Sequence, residues 1–254
     1  SLDTVKAFLR PAQNRKNLYT QTNTHVEHIV FDGERAAGLR VLYNGKNETY
    51  YARSEVILSA GSIGSPTILM HSGIGPGAHL DDMGINVRFD APEVGANLQD
   101  HLQLRCIYKM EGAQTLNTMA NSLWGKMRIG FQYALFRSGP MSMAPSQLGA
   151  FSYSSGDVST PDLEYHIQPL SLDAFGQPLH NFPAVTMSVC HLRPQSRGTV
   201  RLSSRDPMAA PLINPNYLSV EYDRSVAVRA IRQTRAIMAQ ENLAGYKLRN
   251  SNLV

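Results

Sequence analysis

Apolar and polar positions change period several times along this chain of 254 residues. Residues 24–31 alternate, Asp32-Gly33 offers a turn, 36–43 alternate again, Asn44-Gly45 offers a second turn, and 48–51 complete the pattern. Asp-Gly and Asn-Gly suit the positive-φ positions of tight hairpins, so the spacing predicts a three-stranded antiparallel meander. The alternation then stops. Val56, Ile57 and Leu58 form a continuous apolar run, the pattern of a strand covered on both faces. Small residues follow at once, and Ser65-Pro66 reads as the N-cap and first position of a helix that Gly73 ends. Ahead of the meander, residues 1–17 predict a short helix and a turn, and 18–20 a strand.

Past residue 100 the same reading gives a strand at 102–108 and a helix at 121–136, with Leu123, Met127, Ile129, Phe131 and Leu135 available to cover a sheet. Strand signals at 151–153, 163–167, 185–192 and 199–202 read as one antiparallel sheet. A proline-punctuated stretch, 203–216, leads to an amphipathic helix over 221–240. Its inward side is expected to carry Ala227, Ala230, Ile231 and Met238, and its solvent side Arg224, Arg232 and Arg235. The expected fold is mixed, α/β and α+β. A partial domain at 1–103 joins the meander to a parallel sheet, and a second domain at 104–254 is built on an antiparallel sheet flanked by helices.

Composition narrows the function. At 43% hydrophobic and 17% charged the chain is ordinary globular material. A net charge of +4 arises from basic residues scattered among acidic ones, which gives no nucleic-acid footprint. No apolar run reaches the roughly 18 residues of a transmembrane segment, and the first residues lack a signal-peptide layout. Cys106 and Cys190 share no paired motif and read as buried thiols in a reducing, cytoplasmic setting.

Candidate chemistry centres on residues 59–65. Gly61 and Gly64 remove side chains where a polyphosphate or ribose could approach the backbone, and amides at a helix start would face an anion. Glu164 and His166 share a strand face, which would place an acid and a base together, but they read first as members of cross-strand pairs. Asp100 and His101 read as loop-fixing hydrogen bonders. Histidine spacing yields no metal set, and no G-x-S-x-G elbow is present.

Ala60-Gly61-Ser62-Ile63-Gly64-Ser65-Pro66-Thr67-Ile68-Leu69-Met70-His71-Ser72-Gly73-Ile74-Gly75 closely resembles the second signature of the glucose-methanol-choline (GMC) flavoprotein oxidoreductases. Residues 94–101 resemble the family's next motif, and 161–166, 192–200 and 211–218 its substrate domain. The wording is nearest the choline dehydrogenase-like alcohol dehydrogenases. The resemblance implies an FAD domain at 1–103 and a substrate domain at 104–254. It implies oxidation of a small primary alcohol to an aldehyde, with hydride passing to flavin N5 and a base taking the hydroxyl proton. The electron acceptor and any peripheral membrane association stay open. By the same resemblance, the Val26 backbone would meet the adenine, and Ser59, Ala60 and Gly61, with Ser62 and Ser65, would meet the cofactor at the sheet edge. His191 would stand on the substrate side. The family's G-x-G-x-x-G turn occurs nowhere in the chain, and its catalytic histidine with a second histidine or asparagine would fall after Val254. The expectation is therefore an internal fragment, inactive alone. The alternative is a non-catalytic binding or assembly module of the same fold.

Overall fold

The computed structural model describes residues 3–144, 146–174 and 176–250. It contains two compact units, one of residues up to 98 with 198–214, the other of 99–197 with residues from 215 onward. The sequence reading placed a single boundary after residue 103. Instead the chain returns to the first unit at Gly198, where Leu98 and Gly198 exchange backbone hydrogen bonds of 3.0 and 2.8 Å. Pairing between distant backbones recruits the segment, and no local pattern announces it.

In the first unit a short π-helical turn, Val5–Leu9, leads into α1, Arg10–Ala12. The stretch 18–20 is not a strand, and Tyr19 is exposed. The meander forms as expected from β1 (Thr24–Asp32), β2 (Arg35–Tyr43) and β3 (Lys46–Tyr51). Asn44 and Gly45 both take positive φ, 46° and 79°, as a two-residue hairpin with the right twist requires. The expected strand at Val56–Leu58 is absent: these residues have no ladder partner among the described residues, and Ile57 is 77% exposed. An apolar run becomes a strand only when neighbours accept its backbone hydrogen bonds.

Helix α2 spans Gly61–His71 and begins five residues earlier than predicted, so Pro66 lies inside it. Ser65 is not the N-cap. Its Oγ accepts a 3.0 Å hydrogen bond from the Ala60 N–H, fastening the turn that leads into the helix. At the far end Gly73 takes φ +80° and donates its N–H to Met70 O at 3.0 Å, closing the helix as expected. Ser72 Oγ accepts the Ile29 N–H at 2.8 Å, which ties the helix end to β1. Met70 packs with Leu80, from α3 (Gly77–Asp82), and with Leu202 to form this unit's core. Two short ladders complete it: β4 (Ile74–Gly75) beside β5 (Phe89–Asp90), and β10 (Thr199–Arg201) beside β11 (Leu212–Asn214).

The second unit is organised by a five-stranded antiparallel sheet in the order β12-β6-β9-β8-β7. The strands are β6 (Gln103–Lys109), β7 (Leu148–Ser152), β8 (Leu163–Gln168), β9 (Ala184–His191) and β12 (Arg249–Asn250). The segment 199–202, expected in this sheet, is β10 and belongs to the other unit. Helix α6 (Glu221–Met238) lays Val226 and Ala230 onto Leu163, Tyr165, Met187 and Val189. Its most buried positions are Asp223, Val226, Ala230 and Thr234, so the inward stripe is rotated from the predicted one, while Arg224, Arg232 and Arg235 are exposed as expected. The predicted helix at 121–136 forms as α5 (Leu123–Phe136), preceded by a short unpredicted helix, α4 (Leu116–Ala120), and Ser122 Oγ caps α5 by accepting Gly125 N–H at 2.9 Å. Ile129 is the buried residue of α5, whereas Leu123, Met127, Phe131 and Leu135 are exposed. None of the helices is long and apolar enough among the described residues to cross a membrane.

Candidate functional site

The residues singled out by the sequence resemblance fall in two regions, one in each unit. In the first, Ser59, Ala60, Gly61 and Ser62 stand exposed at the N-terminal end of α2. Gly61 has φ +80°, and open space lies where a Cβ would sit, so the backbone is accessible from outside. The first amides of a helix have no intrahelical acceptor and lie at the positive end of its dipole. Ser65 contributes by holding the Ala60 amide. Val26 lies on β1 opposite Val41, next to an irregularity between Val26 and His28. A hydrogen bond tying β1 to the end of α2 is at Ser72, the opposite end of the helix from residues 59–62.

In the second unit β9 ends at His191, beside a cavity of about 30 Å³ lined by Asp100, Ser196, Tyr217, Asp223 and Ala230 among others. That volume suits about one water molecule. Both His191 ring nitrogens are buried without a hydrogen-bond partner. Asp223 Oδ1 lies 3.6 Å from His191 Nδ1. Burial pushes the His191 imidazole below the ordinary histidine range, outweighing the opposite pull of Asp223. Burial would raise Asp223 in turn. Hydrogen bonds from the Gln195 and Ser196 N–H groups, with the Ser196 side chain and His191, hold its carboxyl below the usual range. The shortest of these is the Ser196 N–H bond at 2.7 Å. Tyr217 donates its hydroxyl hydrogen to Asp100, and Ser196 Oγ accepts the Ser219 N–H at 3.1 Å, so the loops around His191 are cross-linked. His101, expected to fix a loop, has its Nε2 3.0 Å from Leu192 O.

Asp223, Ser196 and Tyr217 escaped sequence reasoning. An aspartate in the first turn of a helix is ordinarily a solvent-facing complement to the dipole. The available signal was its position on the apolar stripe, three residues before Val226 and seven before Ala230.

Comparison with known proteins gives a consistent set of relatives. The family models described as GMC oxidoreductase match residues 2–103 and 194–252. Oxygen-dependent choline dehydrogenase of Burkholderia multivorans is 36% identical over 252 residues, covering 98% of this chain and 44% of that protein. The choline dehydrogenase of Photobacterium profundum is 36% identical over 244 residues, covering 96% and 43%. Among solved structures, pyridoxine 4-oxidase from Mesorbium loti aligns with a TM-score of 0.80 at 26% identity, over 99% of this chain and 46% of that one. A formate oxidase aligns with a TM-score of 0.85 at 24% identity, over 94% and 47%, a likeness of fold. The chain spans less than half the length of the curated relatives it matches.

Proposed function

The chain belongs to the GMC oxidoreductase family, and from that membership we propose that it is part of an FAD-dependent enzyme that oxidises a primary alcohol to an aldehyde. The observation that carries the reading is 36% identity to oxygen-dependent choline dehydrogenases along 98% of the chain. The first unit would contribute to the FAD site and the second to the substrate site, with a small alcohol as substrate.

The residues of the first unit fit the cofactor. Where Gly61 leaves the backbone uncovered, the amides opening α2 would bind an anionic or ribose portion of FAD. Ser65 would hold the Ala60 turn in place, Ser59 and Ser62 would offer hydroxyls beside it, and the Val26 backbone would meet the adenine. Bound FAD supplies the acceptor for hydride at flavin N5. In the second unit burial keeps His191 neutral, so one ring nitrogen can accept a hydrogen bond or a proton from a hydroxyl group, and Asp223 would stabilise the cation. His191 is proposed as a substrate-side residue, with the principal base supplied by sequence outside this chain.

The chain by itself is proposed to be inactive. Purified 1–254 mixed with FAD should give no choline- or aliphatic-alcohol-dependent dye reduction, while the longer product of its own reading frame should. Turnover by 1–254 alone would refute the inactivity, and a longer product that reduces dye with no primary alcohol would refute the assigned reaction.

A further inference from the structure

In β8, Leu163 and Tyr165 point into the core under α6, so the alternation of a strand sends Glu164 and His166 to the opposite face. Cys190 of β9 stands directly opposite Glu164 in the register, with Val189 turned to the α6 side, and therefore joins them. One carboxylate oxygen, one imidazole nitrogen and the Cys190 Sγ lie within 4.8 Å of one another.

We propose that Glu164, His166 and Cys190 bind a divalent cation of the Zn²⁺ type, through a carboxylate oxygen, an imidazole nitrogen and a thiolate, with water as fourth ligand. The donor set mixes a soft sulfur, a borderline nitrogen and a hard oxygen, which suits Zn²⁺ better than Mg²⁺ or Ca²⁺. His166 Nε2 and Glu164 Oε1 are 3.4 Å apart. That is longer than the roughly 2.7–2.9 Å of a charge-assisted hydrogen bond. It is close to the roughly 3.4 Å edge that a tetrahedron with Zn–N and Zn–O bonds near 2.1 Å would have. Cys190 is 1% exposed, whereas the His166 and Glu164 side chains retain 29% and 26% of their exposure. A cation can thus enter past the latter pair and meet sulfur at the floor.

Binding replaces the Cys190 S–H bond by an S–metal bond and releases the proton to buffer. Arg105, across from Ser188 in the register, donates from its guanidinium to the carbonyls of Leu172 and Asp173, at 3.0 and 3.3 Å. Histidine spacing along the chain could not disclose this group, because its members come from two strands and only one of them is a histidine.

Co²⁺ tests the assignment in the 254-residue chain, since thiolate coordination to it produces a near-ultraviolet charge-transfer band that carboxylate and imidazole cannot. One Co²⁺ per chain should bind with that band, and Zn²⁺ should displace it. Cys190→Ala should abolish the band, and His166→Ala and Glu164→Gln should each weaken binding about tenfold or more. Cys106→Ala should leave the band intact. Circular dichroism of each variant confirms that it is folded, and Glu164→Gln, nearly isosteric, preserves the test should Cys190→Ala fail to fold. A missing band, or one that follows Cys106 in place of Cys190 or survives both His166→Ala and Glu164→Gln, would overturn the assignment. None of these readings depends on flavin or on turnover.

Discussion

Asp223 and His191 form a buried pair, Oδ1 to Nδ1 3.6 Å, in which the carboxylate is also the acceptor for the backbone N–H groups of Gln195 and Ser196. The same carboxylate thus fixes the loop after β9 and sets the field at the histidine. Replacing Asp223 by Ala removes the acceptor and leaves those amides unpaired, so stability should fall by about 3 kcal/mol. Asp223→Asn, which keeps one acceptor oxygen, should cost clearly less. Urea unfolding of the two variants decides it, and equal losses would contradict the hydrogen-bonding role.

Acid should destabilise the protein through its depressed histidines. His71, His79 and His191 are all pushed below the ordinary range, chiefly by burial. The unfolded state then binds protons first, and unfolding free energy falls as pH drops below about 6.5 toward the folded values. For His79 there is a specific cause as well, because its Nε2 accepts the Leu202 N–H at 3.0 Å and protonation would end that bond. His79→Gln should flatten part of the dependence between neutral and mildly acidic pH, as followed by thermal unfolding across that range. An unchanged slope would remove His79 from the account. Asp223 acts in a lower window: its depressed carboxyl contributes stability above the unfolded value near 3.9, lost as pH falls through the folded one.

Asn117 is fully buried and serves Ser171 and His180. Its side-chain nitrogen donates to Ser171 O at 3.0 Å and His180 O at 2.9 Å, and its oxygen accepts the Ser171 N–H at 2.8 Å. Asn117→Ala should therefore cost about 2–4 kcal/mol, and Asn117→Asp should be no better, since an ionised carboxylate cannot donate. Chemical denaturation measures both, and a loss near zero would mean that the loop around Ser171 carries no energetic weight.

Gly73 closes α2 with φ +80°, and a Cβ there would come within 2.5 Å of Asn86 O. Both the backbone strain and the contact oppose a side chain, so Gly73→Ala should destabilise by about 2 kcal/mol or more. Gly61 shares the positive φ but has open space around it. Gly61→Ala should cost about 1 kcal/mol, and in the longer flavoprotein it should weaken FAD binding more than it lowers stability. Flavin fluorescence titration beside thermal unfolding separates the two effects.

Ser65→Ala frees the Ala60 amide from its 3.0 Å bond. About 1 kcal/mol of stability should be lost, with a several-fold rise in the FAD dissociation constant of the longer protein. Equal affinity in variant and parent would separate Ser65 from the proposed site.

Features that depend on neighbours a few residues away were determined by the sequence alone. Asn44-Gly45 carries its own turn, Gly73 its own helix stop, and the exposed arginines of α6 follow from helical period. The resemblance of residues 60–75 to a flavoprotein signature likewise lies in adjacent side chains. What the tertiary structure decided was every feature that needs a distant partner. Val56–Leu58 forms no strand because nothing among the described residues pairs with it, and β10 leaves the large sheet to join β11. Asp223 becomes a buried acceptor only because the loop at Gln195 and Ser196 brings its amides to it. Glu164 and His166 gain Cys190 only through the β8–β9 register. Period and propensity act along the chain, whereas desolvation and hydrogen-bond satisfaction act across it, so the electrostatics of a buried side chain appears only once its neighbours are in place.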